Sequence, residues 1–160
     1  MGVSGCGKST VGGVLAGRLG WDFGEGDDLH PQENVDKMAS DHPLTDDDRW
    51  PWLVRVHEWM AEHVEAGRPA IITCSALKRS YRDLLLGGIA SHVVFVYLHG
   101  DREQLLARLR ARQGHFMPTA LLDSQLADLE PLGADEPSIT VDIDLSATVQ
   151  AHQIADMLGL

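Results

Sequence analysis

Residues Gly2-Val3-Ser4-Gly5-Cys6-Gly7-Lys8-Ser9 spell G-x-x-x-x-G-K-S, a pattern that dictates a backbone shape and what must follow it. Its glycines let successive N–H groups curl around an anion, and the amino end of a helix adds a favourable dipole. Lys8 can then reach the outer phosphates of a nucleotide, and the Ser9 hydroxyl can hold Mg²⁺. This makes Gly2, Val3, Ser4, Gly5, Cys6, Gly7, Lys8, Ser9 and Thr10 the candidate nucleotide-binding segment. Val11, Val14, Leu15 and Leu19 continue at helical spacing up to Gly20, a stop signal. The interior glycines Gly12, Gly13 and Gly17 weaken that helix but let it approach a sheet closely.

A loop of this kind normally hangs from the end of a buried strand, yet only Met1 precedes Gly2. The missing strand would be central, and without it two neighbouring strands lose their pairing partner. The expectation is that Met1 is an internal residue of a longer natural chain, or that the chain has been shortened. Downstream, Trp21–Phe23 is a short strand candidate with Gly24–Asp28 as the loop at its carboxyl end. Ala70–Cys74 and Val93–Leu98 are apolar runs without alternation, as expected of strands covered on both faces. Helical patterns follow at Tyr81–Ile89 and Arg102–Arg112, another is expected over Pro118–Leu132, and a last strand–helix pair spans Ile139–Leu158. A long helix through Trp52, Leu53, Val56, Trp59, Met60 and Val64 is opened by Pro51 and ended by Gly67, with Asp46–Arg49 as the loop before it. Repeated β-then-α order predicts a doubly wound α/β sandwich over residues 1–160. Its ligands bind outside the carboxyl ends of the strands.

Composition narrows the partners. A formal charge of −11 argues against nucleic acid, whose phosphates demand a broad basic surface. No apolar run is long enough to span a membrane and no secretory leader is visible, so a soluble, cytoplasmic protein is expected. Lys78, Arg79, Arg82, Arg102, Arg108, Arg110 and Arg112 concentrate seven of the 13 basic residues in mid-chain, and none follows Arg112. That local positive field suits a small anionic substrate. Cys6 and Cys74 read as reduced, structural thiols. No two of the eight histidines stand four apart with a third nearby, which argues against a histidine metal site.

More specific signals follow the loop: Gly26-Asp27-Asp28-Leu29-His30-Pro31, Asn34, Lys37-Met38-Ala39, Pro43-Leu44, Asp46-Asp47-Asp48-Arg49 and Pro51-Trp52-Leu53. Further on come Cys74-Ser75-Ala76-Leu77-Lys78, Tyr81-Arg82-Asp83, Gly114-His115-Phe116 and Ser124-Gln125. In order and spacing this series resembles the gluconate kinases over nearly the whole chain. The resemblance implies a P-loop kinase fold like that of shikimate and nucleoside monophosphate kinases, with ATP and Mg²⁺ as cofactors. It implies D-gluconate as acceptor, a substrate-binding helical segment over about residues 30–66, a lid over about residues 108–118, and a homodimer as the suggested assembly.

Asp27, at a strand end, is placed to accept the proton of an attacking hydroxyl, a role the resemblance supports; the alternative is an acid that merely caps a turn. Glu25 stands where relatives carry Asp and could contact the Mg²⁺ hydration shell. Lys78 and Arg49 are candidates for gripping the acceptor's carboxylate, although Asp46–Asp48 could neutralise Arg49. His30 and His115 could hydrogen-bond sugar hydroxyls. The resemblance adds Arg82 and Gln125 to the substrate-binding set. Arg108 and Arg112, four apart on one helical face, fit a lid that closes over ATP, with Arg112 joining Lys8 and Asp27 as catalytic. Their alternative is a solvated face paired with Asp101 and Glu103. Trp50, Trp52 and Trp59 fit packing better than sugar stacking. Other readings are a shikimate-type kinase, which the stretches around His30 and Lys78 disfavour, and a non-catalytic nucleotide-binding relative.

Overall fold

The computed structural model of the chain describes residues 1–40, 42–111 and 119–160. From the amino end, α1 (Lys8–Leu19) leads to β1 (Asp22–Glu25), then a 3-10 turn over Gly26–Leu29, α2 (Gln32–Ala39) and α3 (Asp46–Glu65). Next come β2 (Ala70–Thr73), α4 (Arg79–Leu86), a short 3-10 turn over Ala90–His92, β3 (Phe95–His99) and α5 (Arg102–Ala111). The described chain closes with α6 (Thr119–Asp128), β4 (Ser138–Asp142) and α7 (Ala147–Leu158). The strand-then-helix alternation is the predicted one, and none of the helices is long and apolar enough to cross a membrane among the described residues.

β1 pairs with β2 and β3 with β4, both in parallel, with Asp22 opposite Ala70 and Phe95 opposite Ser138. Among the described residues the two pairs do not hydrogen-bond to one another. Met1 and Gly2 run between their carboxyl ends: Met1 N donates to Val96 O, Leu98 N donates to Met1 O at 3.0 Å, and Gly2 N donates to Ser75 O at 3.2 Å. Behind them a cavity of about 420 Å³ separates β2 from β3, walled by Ile72, Leu85, Val94, Val96 and Ile154 among others. Among the described residues the facing edges of β2 and β3 are not paired with one another.

One core lies where α1, α5, α6 and α7 cover β3 and β4; Leu105, Leu122, Ile143 and Ile154 are almost fully buried in it. Burial of this kind stabilises by about 1.5–3 kcal/mol per large aliphatic side chain. A second core joins α3 and α4 to β2 through Trp52, Leu53, Val56, Tyr81 and Leu85. Of the three glycines inside α1, only Gly12 is used for close approach. A Cβ there would sit 2.9 Å from the Phe23 ring and 3.5 Å from Thr73, whereas Gly13 and Gly17 face open space.

Several boundaries depart from the sequence reading: Gly24 and Glu25 belong to β1 and not to the loop after it, and α4 begins at Arg79 and ends at Leu86. Asp46–Arg49 is not a loop but the first turn of α3, because Thr45 caps it: the Thr45 hydroxyl accepts from Asp48 N, and the Asp48 carboxylate accepts from Thr45 N at 2.7 Å. Three aspartates in a first turn also suit the helix dipole. Pro51 therefore sits inside the helix rather than at its start, and leaves the Asp47 carbonyl without its i+4 donor.

Candidate active site

The phosphate-binding loop takes the shape its glycines permit. Gly5 and Gly7 have φ of 83° and 99°, in the left-handed region that residues with a Cβ avoid, and Gly7 is the residue before α1. Neither an acidic side chain in the first turn nor a side-chain cap occupies the amino end of α1, so its orphan amides are available to an anion. Lys8 folds back over the loop, donating to Gly2 O at 2.9 Å and Val3 O at 3.2 Å. Ser9 and Thr10 are exposed on the first turn. Cys6 and Cys74 are free and buried, and burial pushes the Cys74 thiol up to about 11, as an inert structural thiol requires.

Arg108 reaches the same loop: its guanidinium donates to Cys6 O at 3.4 Å and to Ile143 O. It turns toward the nucleotide segment, not toward Asp101 or Glu103, so the solvated-face alternative does not hold for it. Arg112 and His115 lie outside the described residues. Gln125 also contacts the loop. Its Oε1 accepts from Ser4 N at 2.7 Å and its Nε2 donates to Ser4 Oγ at 3.2 Å, so the structure ties it to the phosphate side rather than to the acceptor.

Across the cleft, the turn after β1 carries the acids. Gly26 is squeezed against β2, where a Cβ would come within 2.1 Å of Thr73 O, and its amide donates to Thr73 Oγ1. Thr73 Oγ1 in turn donates to Glu25 Oε2 at 2.5 Å. Asp27 follows immediately and is exposed. Trp52 is buried and donates from Nε1 to Gly26 O at 2.7 Å, so α3 holds the Asp27 turn from below. His30 stacks on Trp52 with ring centroids 4.2 Å apart. Asn34 Nδ2 donates to Asp48 O at 2.8 Å and lies 3.2 Å from His30 Nδ1. Because that nitrogen is a donor, Nδ1 accepts and the His30 proton sits on Nε2. Burial, aided by Arg49 and opposed by Asp27, lowers the pKa of His30 and keeps it neutral.

Arg49 and Lys78 converge on one side chain that the sequence reading quotes within a motif but gives no site role, Tyr81. Arg49 Nη1 donates to the Tyr81 hydroxyl at 3.1 Å, and the two cations lie 5.8 and 5.6 Å from its ring centroid. Tyr81 donates to Asp46, which also pairs with Lys78 at 3.1 Å. These bonds, Tyr81 first, hold the Asp46 carboxyl below its usual range, and the Asp46 hydrogen bond raises the pKa of Lys78. The acidic run thus engages Lys78, while among the described residues Arg49 has a 3.9 Å approach to Asp128 as its carboxylate contact. Asp48 serves the Thr45 cap and pairs with Lys37 at 2.6 Å. An aromatic three residues after Lys78, on the same face of α4, was the available signal for Tyr81.

Arg82 is a correction. Its side chain is wholly buried and paired with Glu136 at 2.5 Å, so it offers no accessible donor to an acceptor. A buried guanidinium needs a full set of partners, and Glu136, far along the chain, supplies the charge.

Comparisons with known proteins accord with this geometry. A family model described as an AAA domain matches residues 1–132. The chain is 51% identical to a gluconokinase of Gluconobacter oxydans, over 98% of this chain and 90% of the relative. It is 46% identical to the thermosensitive gluconokinase of Escherichia coli, over 98% of this chain and 80% of the relative. The chain belongs to the gluconokinase family. Among solved structures, a gluconokinase from Sinorhizobium meliloti superposes with a TM-score of 0.85 at 43% identity, covering 99% of this chain and 93% of that one. A shikimate kinase from Acinetobacter baumannii, at 17% identity and a TM-score of 0.57, shares the fold alone.

Within this gluconokinase-family chain, the described residues hold no group of three His, Cys, Asp or Glu side chains able to bind a metal by themselves. A Mg²⁺ ion carried by nucleotide phosphates needs no such cage, since it keeps most of its water and takes only one or two oxygen donors from protein. The exposed Ser9 hydroxyl and the half-buried Glu25 carboxylate at the end of β1 are oxygen donors of that kind.

Proposed function

We propose that this chain transfers the γ-phosphoryl group of ATP to the 6-hydroxyl of D-gluconate, giving 6-phosphogluconate and ADP. What supports the reading is that β2 and the stretch after it join two sets of groups. Gly26, beside exposed Asp27, bonds to Thr73, and Ser75 takes the Gly2 amide of the loop that Lys8 and Arg108 touch; Lys78, three residues on, gathers with Arg49 on Tyr81.

The loop amides and Lys8 hold the β- and γ-phosphates, and Arg49 and Lys78 take the acceptor's carboxylate. The neutral His30 offers its Nε2–H to a sugar hydroxyl. With the acceptor anchored by its charged end, Asp27 receives the proton of the attacking 6-hydroxyl as the new P–O bond forms and the bond to ADP breaks. Lys8, Arg108 and Arg112 stabilise charge on the transferring group. Ser9 and Glu25 would hold a Mg²⁺ ion, which would supply neutralisation of the charge that develops on the phosphates.

An ADP-release assay across gluconate, other aldonic acids, shikimate and nucleoside monophosphates tests the reading; gluconate should stand alone. Asp27→Asn should lower kcat by roughly 10²–10⁴-fold while ATP affinity stays within a few-fold. Equal loss of both would remove Asp27 from the chemistry.

A further inference from the structure

The Arg82–Glu136 pair is enclosed, with 0% and 1% side-chain exposure, and burying such a pair carries a desolvation penalty that an apolar pair would avoid. Arg82 spends every donor direction. Nε donates to Glu136 Oε1 at 2.5 Å and Nη2 to Oε2 at 3.1 Å, while Nη2 also reaches Pro131 O at 3.3 Å. Nη1 reaches back to the carbonyls of Ala76 at 3.1 Å and Leu77 at 3.0 Å.

Those carbonyls belong to a strained segment. Ala76, with φ of 48°, is the non-glycine residue in the left-handed region among the described residues. Such a conformation persists only where the surroundings hold it. On one side of Ala76, Ser75 O receives the Gly2 amide at the start of the phosphate loop. On the other side, Lys78 caps α4 next to Asp46 and Tyr81. One short stretch therefore touches both halves of the site, and Arg82 grips it in the middle.

We propose that Arg82, backed by Glu136, is a positioning residue that fixes the Ala76 turn and so sets Lys78 against the acceptor's carboxylate. This rests on the reading of Lys78 given above. Arg82 touches neither substrate; it acts through the backbone it holds.

Two variants separate this role from simple scaffolding. Arg82→Lys keeps a positive charge beside Glu136, but a single ammonium cannot grip a carboxylate and two carbonyls at once. Arg82→Met with Glu136→Leu removes both charges together, which an interior tolerates better than half a pair. In both, KM for gluconate should rise on the order of ten-fold while KM for ATP moves less than about two-fold. The deciding measurement adds Lys78→Ala. Alone it should raise KM for gluconate; placed on Arg82→Lys it should add little, because Lys78 is already displaced. A purely structural pair would lower the thermal midpoint and leave the two KM effects additive. Folded variants with unchanged KM for gluconate would overturn the inference, and so would failure of both to fold, which would make the pair a folding determinant only. If Lys78→Ala alone has no effect, it is the reading of Lys78 that fails. If it weakens gluconate binding while Arg82→Lys does not, only the positioning role is lost.

Discussion

His30 shows how much a single side chain can be constrained by its neighbours. The Asp48 carbonyl fixes the Asn34 amide as a donor, and that in turn fixes the His30 tautomer. Protonation would set two donors face to face, so the folded state resists it, in line with a pKa lowered from the ordinary 6.5. The unfolded chain takes up that proton first on acidification, so stability is full above the ordinary value and falls as pH drops toward the folded one. Denaturant midpoints followed from about pH 7 to pH 5 should fall less steeply for His30→Gln than for the wild type. A parallel slope would mean His30 titrates freely. At this scale the sequence was most legible where local spacing sets the backbone, as at Gly5 and Gly7 of the phosphate loop and the Lys8 that folds over it. It was least legible for Arg82 and Gln125, which the motifs single out but whose partners, Glu136 and Ser4, lie 54 and 121 residues away. Nothing in a local pattern distinguishes an arginine facing a ligand from one facing a distant glutamate.

Among the elements, α3 braces the Asp27 turn and the cluster around Tyr81 from its first turn to its middle. Thr45 and Asp48 close its amino end, Asp46 and Arg49 reach the cation cluster, and Trp52 supports the Asp27 turn. Thr45→Ala should cost about 1 kcal/mol in urea unfolding. The same change should raise KM for gluconate more than KM for ATP, because Asp46 and Arg49 ride on the capped turn. Equal shifts in both constants would detach the cap from the site. The sequence misplaced this helix start because a proline usually marks a first turn. The cap that overrode it, Thr45 with Asp48, uses the shorter acid in place of the glutamate or glutamine expected three residues on. The strands were easier to find, since long β-branched runs have few other uses.

For the whole molecule, the governing feature is the open lane between the two strand pairs. Its walls are largely apolar, the facing edges of β2 and β3 are not paired with one another among the described residues, and Met1 already bonds to Val96 and Leu98 at one end. Five β-branched residues placed ahead of Met1 would extend along both edges and fill the cavity. The expected outcome is a rise in thermal midpoint of roughly 5–10 °C. An unchanged midpoint would show that the edges satisfy one another in solution. The stacked pair of His30 on Trp52, set directly beneath the Asp27 turn, has an optical corollary. Indole emission is sensitive to a neighbouring imidazole and to displaced water, so the protein carries its own unlabelled reporter. Filling of the acceptor pocket should be visible as a change in tryptophan fluorescence before any phosphate has moved.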